Sequence, residues 1–351
     1  MNSGKMCDKR EGITIIIATY NRPDCLKQAI TSVIRQTYQE WLLFVIGDHC
    51  SSETETVVKS FTDARISYYN CPNRSGSQSG GNSIGIALAT TPYIAFLNHD
   101  DIWLPNHLET AVRYLIKNNA RCYFGRFIFA FYSLSHFPIL KEAHPKKREL
   151  FRGFFTVPTY IEPVSGWVIH TDTAKNTGYW RHQDDIHRVP IQDYYLRLWR
   201  KGAKCTFGEV ITGVKFDNQV NQVRGKNLYE YGAKELEFVN HLIHNDIIKL
   251  NRFIEQITEM RIVNKLQYFR KNPKMRIIDS FLQGITLNRI TAILFFYTSI
   301  DLYTFMRFIL GNSKGAKLRE LLLLRTGEDK LPYYSVEEAV SDARQNFKKC
   351  N

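Results

Sequence analysis

The stretch at residues 93–105, YIAFLNHDDIWLP, joins an apolar run to an abrupt polar end. Residues 93–97 are apolar without interruption, a run too short for a helix but typical of a strand buried in a parallel sheet. The four positions that follow are Asn98, His99, Asp100 and Asp101. Ligands of open α/β sheets bind outside the carboxyl ends of the strands, so this polar cluster predicts a functional site.

Two interpretations of the acidic pair are open at this point. Carboxylates suit a hard divalent cation, and such a cation in turn suits a pyrophosphate group. Alternatively, Asp100 and Asp101 only precede a helix that begins near Pro105, since Asp is favoured before a first turn and Pro at its start.

Two earlier segments repeat the pattern of a buried strand with a polar end. Residues 13–19, ITIIIAT, and residues 41–47, WLLFVIG, are apolar runs rich in β-propensity, and the second ends in Asp48. Strands that alternate with helical spacing predict an α/β fold with a mainly parallel sheet flanked by helices. We therefore expect residues 19–22, Asp48 and residues 98–101 to lie at one edge of that sheet.

The segment at residues 73–89, NRSGSQSGGNSIGIALA, begins as a Gly/Ser loop and continues at helical spacing. It contains neither the G-x-G-x-x-G of a dinucleotide-binding fold nor the G-x-x-x-x-G-K-[ST] of a P-loop. A flexible loop and a loop that approaches phosphate both remain possible interpretations.

Composition limits the class of protein. The 351 residues suffice for one large domain and a smaller appendage, and the formal charge of +13 indicates an anionic partner: nucleic acid, phosphorylated substrate or anionic membrane. Seven dispersed cysteines without a C-x-x-C pair favour reduced thiols and a cytoplasmic location. The charged N-terminal segment lacks the apolar core of a signal peptide.

Three segments, in this order, resemble the nucleotide-sugar domain of glycosyltransferase family 2, which is inverting and has the GT-A fold. They are ITIIIATYNRPDCLKQAITSVIRQTYQEW, VIGDHCSSETETV and GIALATTPYIAFLNHDDIWLPNHLE. The resemblance covers roughly residues 12–215. It implies a GT-A nucleotide-sugar-binding and catalytic domain at residues 1–215 and a helical C-terminal extension at residues 216–351, which we expect to associate with a membrane or a partner.

The resemblance also implies a donor site. Thr19 and Tyr20 match the strand end that approaches the nucleotide base, typically uracil, and Asp48 matches the acid that hydrogen-bonds the base. We include Arg22, at the same strand end, in the donor-binding set. The Gly-rich helix lacks the arginine usual in the family, so we assign no phosphate contact there.

The tetrad that ends the central strand matches the D-x-D-D motif of the family. Asp100 corresponds to the acid that contacts the divalent cation, Mn²⁺ or Mg²⁺, bridging the diphosphate. Asn98 stands where the family has an acid at the ribose and metal site. An amide hydrogen-bonds a ribose hydroxyl but brings no charge to the cation, so we expect weaker metal binding than usual.

The segment at residues 189–202, VPIQDYYLRLWRKG, predicts a helix whose first turn contains Gln192 and Asp193. The family has an E-D pair here, and Asp193 matches the general base that deprotonates the acceptor hydroxyl. Alternatively, Asp193 only complements the helix dipole. We assign no catalytic role to the nearby histidines, His99, His182 and His187.

The C-terminal region is rich in helical spacing. Residues 260–276 combine basic and apolar positions, which suits an anionic membrane surface but equally a helix packed on the sheet domain. Residues 290–306 are the most apolar stretch, yet they are too short and contain Asp301, so we expect a core or interfacial helix. The basic run at residues 146–148 predicts a solvated surface rather than an acceptor site.

These features together predict a cytosol-facing inverting glycosyltransferase that is peripheral on the inner face of the cell membrane. Its donor would be a nucleoside-diphosphate sugar, foremost a UDP-sugar, and its acceptor a hydroxyl of a saccharide or lipid-linked saccharide in surface polysaccharide or glycolipid assembly. Asn98 and Gln192 motivate the alternative of a nucleotide-sugar-binding protein that lacks transfer activity. The positive charge alone suggests nucleic acid, but no recognition motif supports that class.

Overall fold

A computed structural model of the chain describes residues 11–131, 139–144, 163–182, 190–217 and 336–349. The strands are β1 (Ile13–Thr19), β2 (Trp41–Gly47), β3 (Ile66–Asn70), β4 (Tyr93–Phe96), β5 (Asp101–Trp103), β6 (Cys122–Phe131), β7 (Ile139–His144), β8 (Trp167–His170) and β9 (Cys205–Asp217). The helices are α1 (Pro23–Ile34), α2 (Ser52–Lys59), α3 (Gln78–Leu88), α4 (His107–Lys117), α5 (Thr171–Thr177), α6 (Pro190–Arg200) and α7 (Val336–Lys349).

One sheet runs through the described part of the chain in the order β3-β2-β1-β4-β8-β6-β9-β5, with β7 paired to β6. Strands β3, β2, β1 and β4 are parallel to one another, whereas β8 is antiparallel to both of its neighbours. This confirms the predicted α/β fold with helices on the sheet. Because β1, β2 and β4 are parallel, their polar carboxyl ends lie at the same edge, as expected.

The alternating residues of β1 divide the core into two layers. Ile13, Ile15 and Ile17 pack with α1 and α4 on one face, and Ile16 packs on the other face with α3 and β8. On that second face a Cβ at Gly85 would lie 2.5 Å from the Ile16 side chain, so α3 requires glycine there to approach the sheet.

The structure contradicts one of the two interpretations of the acidic pair, Asp100 and Asp101. Asp101 begins the short strand β5, which pairs antiparallel with β9 at Lys215, and α4 begins only at His107. The interpretation in which Asp100 and Asp101 merely start a helix is therefore wrong, because Asp101 belongs to a strand and a turn at residues 105–106 separates that strand from α4.

The last helix packs on the first half of the chain. Ala339, Val340 and Ala343 of α7 are buried against α3 and β3, and Tyr69 Oη donates a hydrogen bond to Asp342 Oδ2 at 2.9 Å. The expected division of the chain at residue 215 stays a prediction, because most of the C-terminal region lies outside the described residues. The predictions for residues 146–148, 260–276 and 290–306 fall outside them as well. Within the described ranges, no helix combines the length and apolarity that crossing a membrane requires.

His107 provides a test of the core at low pH. It is fully buried, stacks on Trp103 with ring centroids 4.6 Å apart, and pairs through Nδ1 with Thr212 Oγ1 at 2.9 Å. Burial lowers the pKa of His107 to about 3. Below about pH 6.5 the unfolded chain therefore binds a proton that the folded chain does not, which favours unfolding as the pH falls.

We expect His107 to lower the free energy of unfolding by about 1 kcal/mol for each unit that the pH falls between about pH 6 and pH 4. The variant His107→Gln removes the titrating group and keeps an amide that can pair with Thr212. Urea unfolding at several pH values should show a shallower acid slope for this variant. Identical slopes for both proteins would contradict the assignment.

Candidate functional site

The ends of β1 and β2 lie side by side at the polar edge. Thr19 pairs with Gly47 in the register of the two strands, and the backbone N–H of Asp48 donates to Thr19 O at 2.9 Å. Thr19 is 2% exposed, and its hydroxyl has no hydrogen-bond partner among the described residues. A buried polar atom without a partner is a candidate contact for a ligand group.

Asp48 is held in place by the Gly/Ser loop that the sequence left undecided. Its Oδ1 accepts from the backbone N–H of Ser75 at 2.6 Å, and its Oδ2 accepts from that of Gly76 at 2.8 Å. Gly76 has φ +76°, a left-handed conformation that favours glycine. A carboxylate offers about four lone pairs, so Asp48 is oriented by the loop and still has capacity for a ligand donor.

The same loop reaches Tyr20. The Arg74 guanidinium carbon lies 3.9 Å from the centroid of the Tyr20 ring, a cation–π contact. The structure thus brings together Tyr20 and Asp48, the two residues predicted at the nucleotide base, through consecutive residues of one loop. Sequence reasoning missed this role of the loop, since Gly and Ser content alone does not show what a loop touches.

Arg22 and Asp100 join the ends of β1 and β4. Arg22 Nη1 donates to Asp100 Oδ2 at 2.9 Å, and both side chains are partly exposed. His99 Nε2 lies 3.9 Å from the same oxygen, but burial lowers the pKa of His99, so its neutral form is favoured. Arg22 therefore supplies the positive charge beside Asp100.

The second acid of the pair points the other way. Asp101 is 1% exposed, and its Oδ2 accepts from Ser165 Oγ at 2.5 Å and from Asn98 Nδ2 at 2.9 Å. Burial, assisted by the neighbouring charge of Asp100, raises the pKa of Asp101 to about 7. The adjacent acids are thus divided between the site edge and the core.

The side chains at this edge limit how a divalent cation could be bound. Asp100 offers a carboxylate and Asn98 a neutral carboxamide oxygen, while Asp101 is engaged below them. In the described ranges, no group of three or more His, Cys, Asp or Glu side chains gathers as a metal site. Mg²⁺ is commonly bound through one or two carboxylates, with substrate phosphates as further ligands. The residues therefore fit a cation shared with a diphosphate rather than one held by protein alone.

Asp193 lies in the first turn of α6, as predicted, and is 1% exposed. Its Oδ2 accepts from Arg197 Nε at 2.9 Å and its Oδ1 from Arg181 Nη1 at 3.3 Å, and both arginines are buried. Two guanidinium groups thus balance the charge of this carboxylate. The i, i+4 spacing of Asp193 and Arg197 was visible in the sequence, whereas Arg181 was not identifiable from spacing.

A short segment connects Asp193 to the loop that orients Asp48. Arg181 accepts a hydrogen bond at its backbone oxygen from Ser79 Oγ at 2.8 Å, and His182 Nε2 pairs with Ser75 O at 2.9 Å. Two consecutive residues therefore contact Asp193 on one side and the loop that orients Asp48 on the other. His182 has a positional role here, while His187 lies outside the described residues.

These features define a GT-A type domain with a cluster of polar side chains at one edge of its sheet. A family model described as Glycosyl transferase family 2 matches residues 14–181. The chain is 34% identical over 115 residues to UDP-Glc:alpha-D-GlcNAc-diphosphoundecaprenol beta-1,3-glucosyltransferase WfgD of Escherichia coli, covering 33% of this chain and 45% of the relative. It is also 25% identical over 247 residues to an uncharacterized glycosyltransferase of Methanocaldococcus jannaschii, covering 66% of this chain and 82% of the relative.

Among solved structures, TarS residues 1–349 of S. aureus, in complex with UDP-GlcNAc, superposes with a TM-score of 0.51 at 13% identity. The superposition covers 92% of this chain and 93% of that structure and shows that the fold is shared. Residues 14–181 therefore match the model of glycosyltransferase family 2, and both of the relatives compared by sequence are named as transferases of sugars. The chain spans less than half the length of the Escherichia coli relative.

Proposed function

We propose that this protein is an inverting glycosyltransferase that moves a sugar from a UDP-sugar to a hydroxyl of a saccharide or lipid-linked acceptor. The observation that carries the proposal is the convergence of three strand ends: Arg22 of the β1 end touches Asp100 of the β4 end, and Asp48 follows β2 beside them. The family resemblance assigns the donor to this edge. The Escherichia coli relative is named for a UDP-Glc donor and a diphosphoundecaprenol-linked acceptor, which supports assembly of a surface polysaccharide or glycolipid.

Each residue at the edge has a proposed role toward the donor. Tyr20 contacts the base, and Asp48 accepts a hydrogen bond from it with the lone pairs that the loop leaves available. Asn98 Oδ1 accepts from a ribose hydroxyl. Arg22 exchanges its ion pair with Asp100 for the diphosphate, whose charge a guanidinium suits.

The chemistry requires offset of charge on the leaving diphosphate and removal of a proton from the acceptor. A divalent cation at Asp100, when bound, would act as a Lewis acid toward the diphosphate. Asp193 is the proposed base that takes the acceptor proton as the hydroxyl attacks the anomeric carbon in a single displacement. For that role one oxygen of Asp193 must face the acceptor while the arginines hold the carboxylate in place.

One observation favours the alternative of a nucleotide-sugar-binding protein without transfer activity. Asp193 is almost completely buried and paired with Arg181 and Arg197, which is also the arrangement of a purely structural ion pair. The neutral Asn98 at the donor site points in the same direction. This alternative predicts donor binding without turnover.

The experiment that separates the two is slow hydrolysis of a panel of nucleotide sugars by the purified full chain. The panel contains UDP-Glc, UDP-GlcNAc, UDP-Gal and GDP-Man, each with and without Mn²⁺, and UDP binding is measured in parallel. We expect one UDP-sugar to be consumed faster with the cation. Binding of UDP without hydrolysis, and without transfer to any diphospholipid-linked saccharide, would favour the binding protein, and no UDP binding would reject both.

Location at the inner face of the cell membrane belongs to the same proposal. The relative that acts on a diphosphoundecaprenol-linked sugar supports it, together with the net charge of +13, which favours anionic lipid surfaces. Co-sedimentation of the full chain with vesicles containing anionic lipid, compared with neutral vesicles, tests this point directly.

Asp48 offers a test confined to the nucleotide. In Asp48→Asn, one acceptor oxygen becomes an N–H₂ group that faces the donating amides of Ser75 and Gly76, so the loop and the base contact are both disturbed. We expect UDP affinity to fall about 10- to 100-fold, as for loss of a hydrogen bond to a charged group. Calorimetric titration with UDP measures this, with Asp63→Asn as a control, since Asp63 pairs with Arg65 before β3. Equal affinities for wild type and Asp48→Asn would remove Asp48 from the donor site.

A further inference from the structure

We propose that Asp101 is a positioning residue for the donor site: it fixes the Asn98 side chain so that the carboxamide oxygen, not the amide nitrogen, is available to the donor. This inference rests on the proposed function, because it concerns the atom that Asn98 presents to a nucleotide sugar. It assigns a role to Asp101, the last residue of the motif, which the resemblance to the family left without one.

The first support is the shape of the turn after β4. The backbone N–H of Asp101 donates to Asn98 O at 3.2 Å, and the backbone N–H of Asn98 donates to Ser165 Oγ at 3.0 Å. The turn is thus closed by its own backbone and tied to the segment before β8. Asn98 and Asp100 remain partly exposed at its top, while Asp101 is buried beneath them.

The second support is the direction of the hydrogen bonds. Ser165 has one hydroxyl proton, and the geometry has it donated to Asp101 Oδ2, so the Ser165 oxygen is the acceptor for the Asn98 backbone. Asn98 Nδ2 donates to the same Asp101 Oδ2 at 2.9 Å, so the Asn98 side chain presents its amide nitrogen to Asp101. The side-chain carbonyl oxygen of Asn98, Oδ1, then faces away from Asp101.

The third support is that the turn alone does not require a carboxylate. Asp101 Oδ1 is buried with no hydrogen-bond partner among the described residues, and a buried, incompletely paired carboxylate is destabilising. Its Oδ2 is the acceptor shared by Ser165 and Asn98. Asp101 therefore lowers the stability of the fold. Its role in orienting the Asn98 side chain explains why an acid is nevertheless placed here.

Asn98 and Asp101 consequently form a matched pair of one donor and one acceptor. An acid at position 98, as in the usual family motif, would bring a second carboxyl group 2.9 Å from Asp101 Oδ2, and the two could pair only by holding a proton between them. Restoring the family acid alone would then harm the site. Restoring it together with an amide at position 101 would reverse the polarity of the pair and recreate the hydrogen bond, while Ser165 Oγ would change from donor to acceptor toward position 101.

The test is a double-mutant cycle of Asn98→Asp, Asp101→Asn and the double variant, read by UDP affinity with and without Mn²⁺ and by thermal midpoint. We expect Asn98→Asp to weaken UDP binding about tenfold and to lower the midpoint. Asp101→Asn should weaken binding by a smaller factor, since it replaces a charged acceptor with a neutral one. The double variant should return to within about threefold of wild type, and its Mn²⁺ response should exceed that of wild type.

Asp172→Asn serves as the matched control, because Asp172 is an exposed acid paired with Arg121 and should leave UDP affinity unchanged. Single effects that simply multiply in the double variant, or single variants that bind UDP like wild type, would overturn the pairing. A wild-type protein that binds no UDP would instead overturn the proposed function, so the two failures are distinguishable. A purely structural role for Asp101 predicts a lower midpoint without the reciprocal rescue of UDP binding.

Discussion

Asp193→Asn is expected to reduce the rate of sugar transfer about 1,000-fold while leaving UDP affinity within about threefold of wild type. The reason is that an amide cannot accept the proton of the acceptor hydroxyl, whereas the proposed donor contacts lie at the ends of β1, β2 and β4. The measurement is the rate of transfer, or of donor hydrolysis, per mole of folded protein, together with calorimetric UDP binding.

The control for this prediction is Arg197→Gln, which breaks the same buried ion pair but keeps the carboxylate. Asp193→Asn removes the carboxylate from two buried guanidinium groups and should destabilise the fold by about 3 kcal/mol or more, whereas Arg197→Gln leaves the carboxylate with Arg181 and should destabilise it less. Only Asp193→Asn should lose turnover in the molecules that remain folded. If the two variants lose activity in equal measure, Asp193 is a structural ion-pair residue and the base is elsewhere.

Asp100→Ala is expected to slow turnover about 100- to 1,000-fold and to abolish any acceleration by Mn²⁺. Asp100 is the exposed carboxylate of the motif, and the neutral Asn98 and the engaged Asp101 do not replace its charge. The measurement is donor hydrolysis across a Mn²⁺ titration, with Mn²⁺ binding in the presence of UDP followed separately by electron paramagnetic resonance.

Arg22→Gln is the comparison that isolates the carboxylate, because it breaks the same 2.9 Å ion pair from the other side. We expect it to weaken binding of the diphosphate and to retain the response to Mn²⁺. A persistent Mn²⁺ response in Asp100→Ala would show that the cation is held by other groups, and the assignment of Asp100 would then fail.

The polar edge of the sheet could be predicted because local patterns determine it. Three buried apolar runs, each followed by a polar residue, require only parallel pairing to bring Thr19, Asp48 and Asn98 together, and the alternation of strands and helices predicts that pairing. The first turn of α6, with Asp193, was likewise readable from helical spacing.

The partners of these residues could not be predicted, because they come from distant or featureless parts of the chain. Nothing in two adjacent acids shows that Asp100 faces the edge and Asp101 the core, since this depends on β5 pairing with β9. Ser165 reaches the site from the turn before β8, and Arg181 from the segment after α5. The contact of Ser75 with Asp48 depends on a loop conformation that Gly and Ser permit but do not specify.

The return of α7 to β3 and α3 has a consequence for how the protein is made. Ile46, Tyr69, Ile84 and Leu88 pack against this helix, and it is encoded after every other described segment. During translation α7 cannot cover these side chains until residues 336–349 have left the ribosome. The nascent sheet domain therefore gains this part of its core only once α7 has been synthesised, and until then it presents an apolar surface of the kind that chaperones bind.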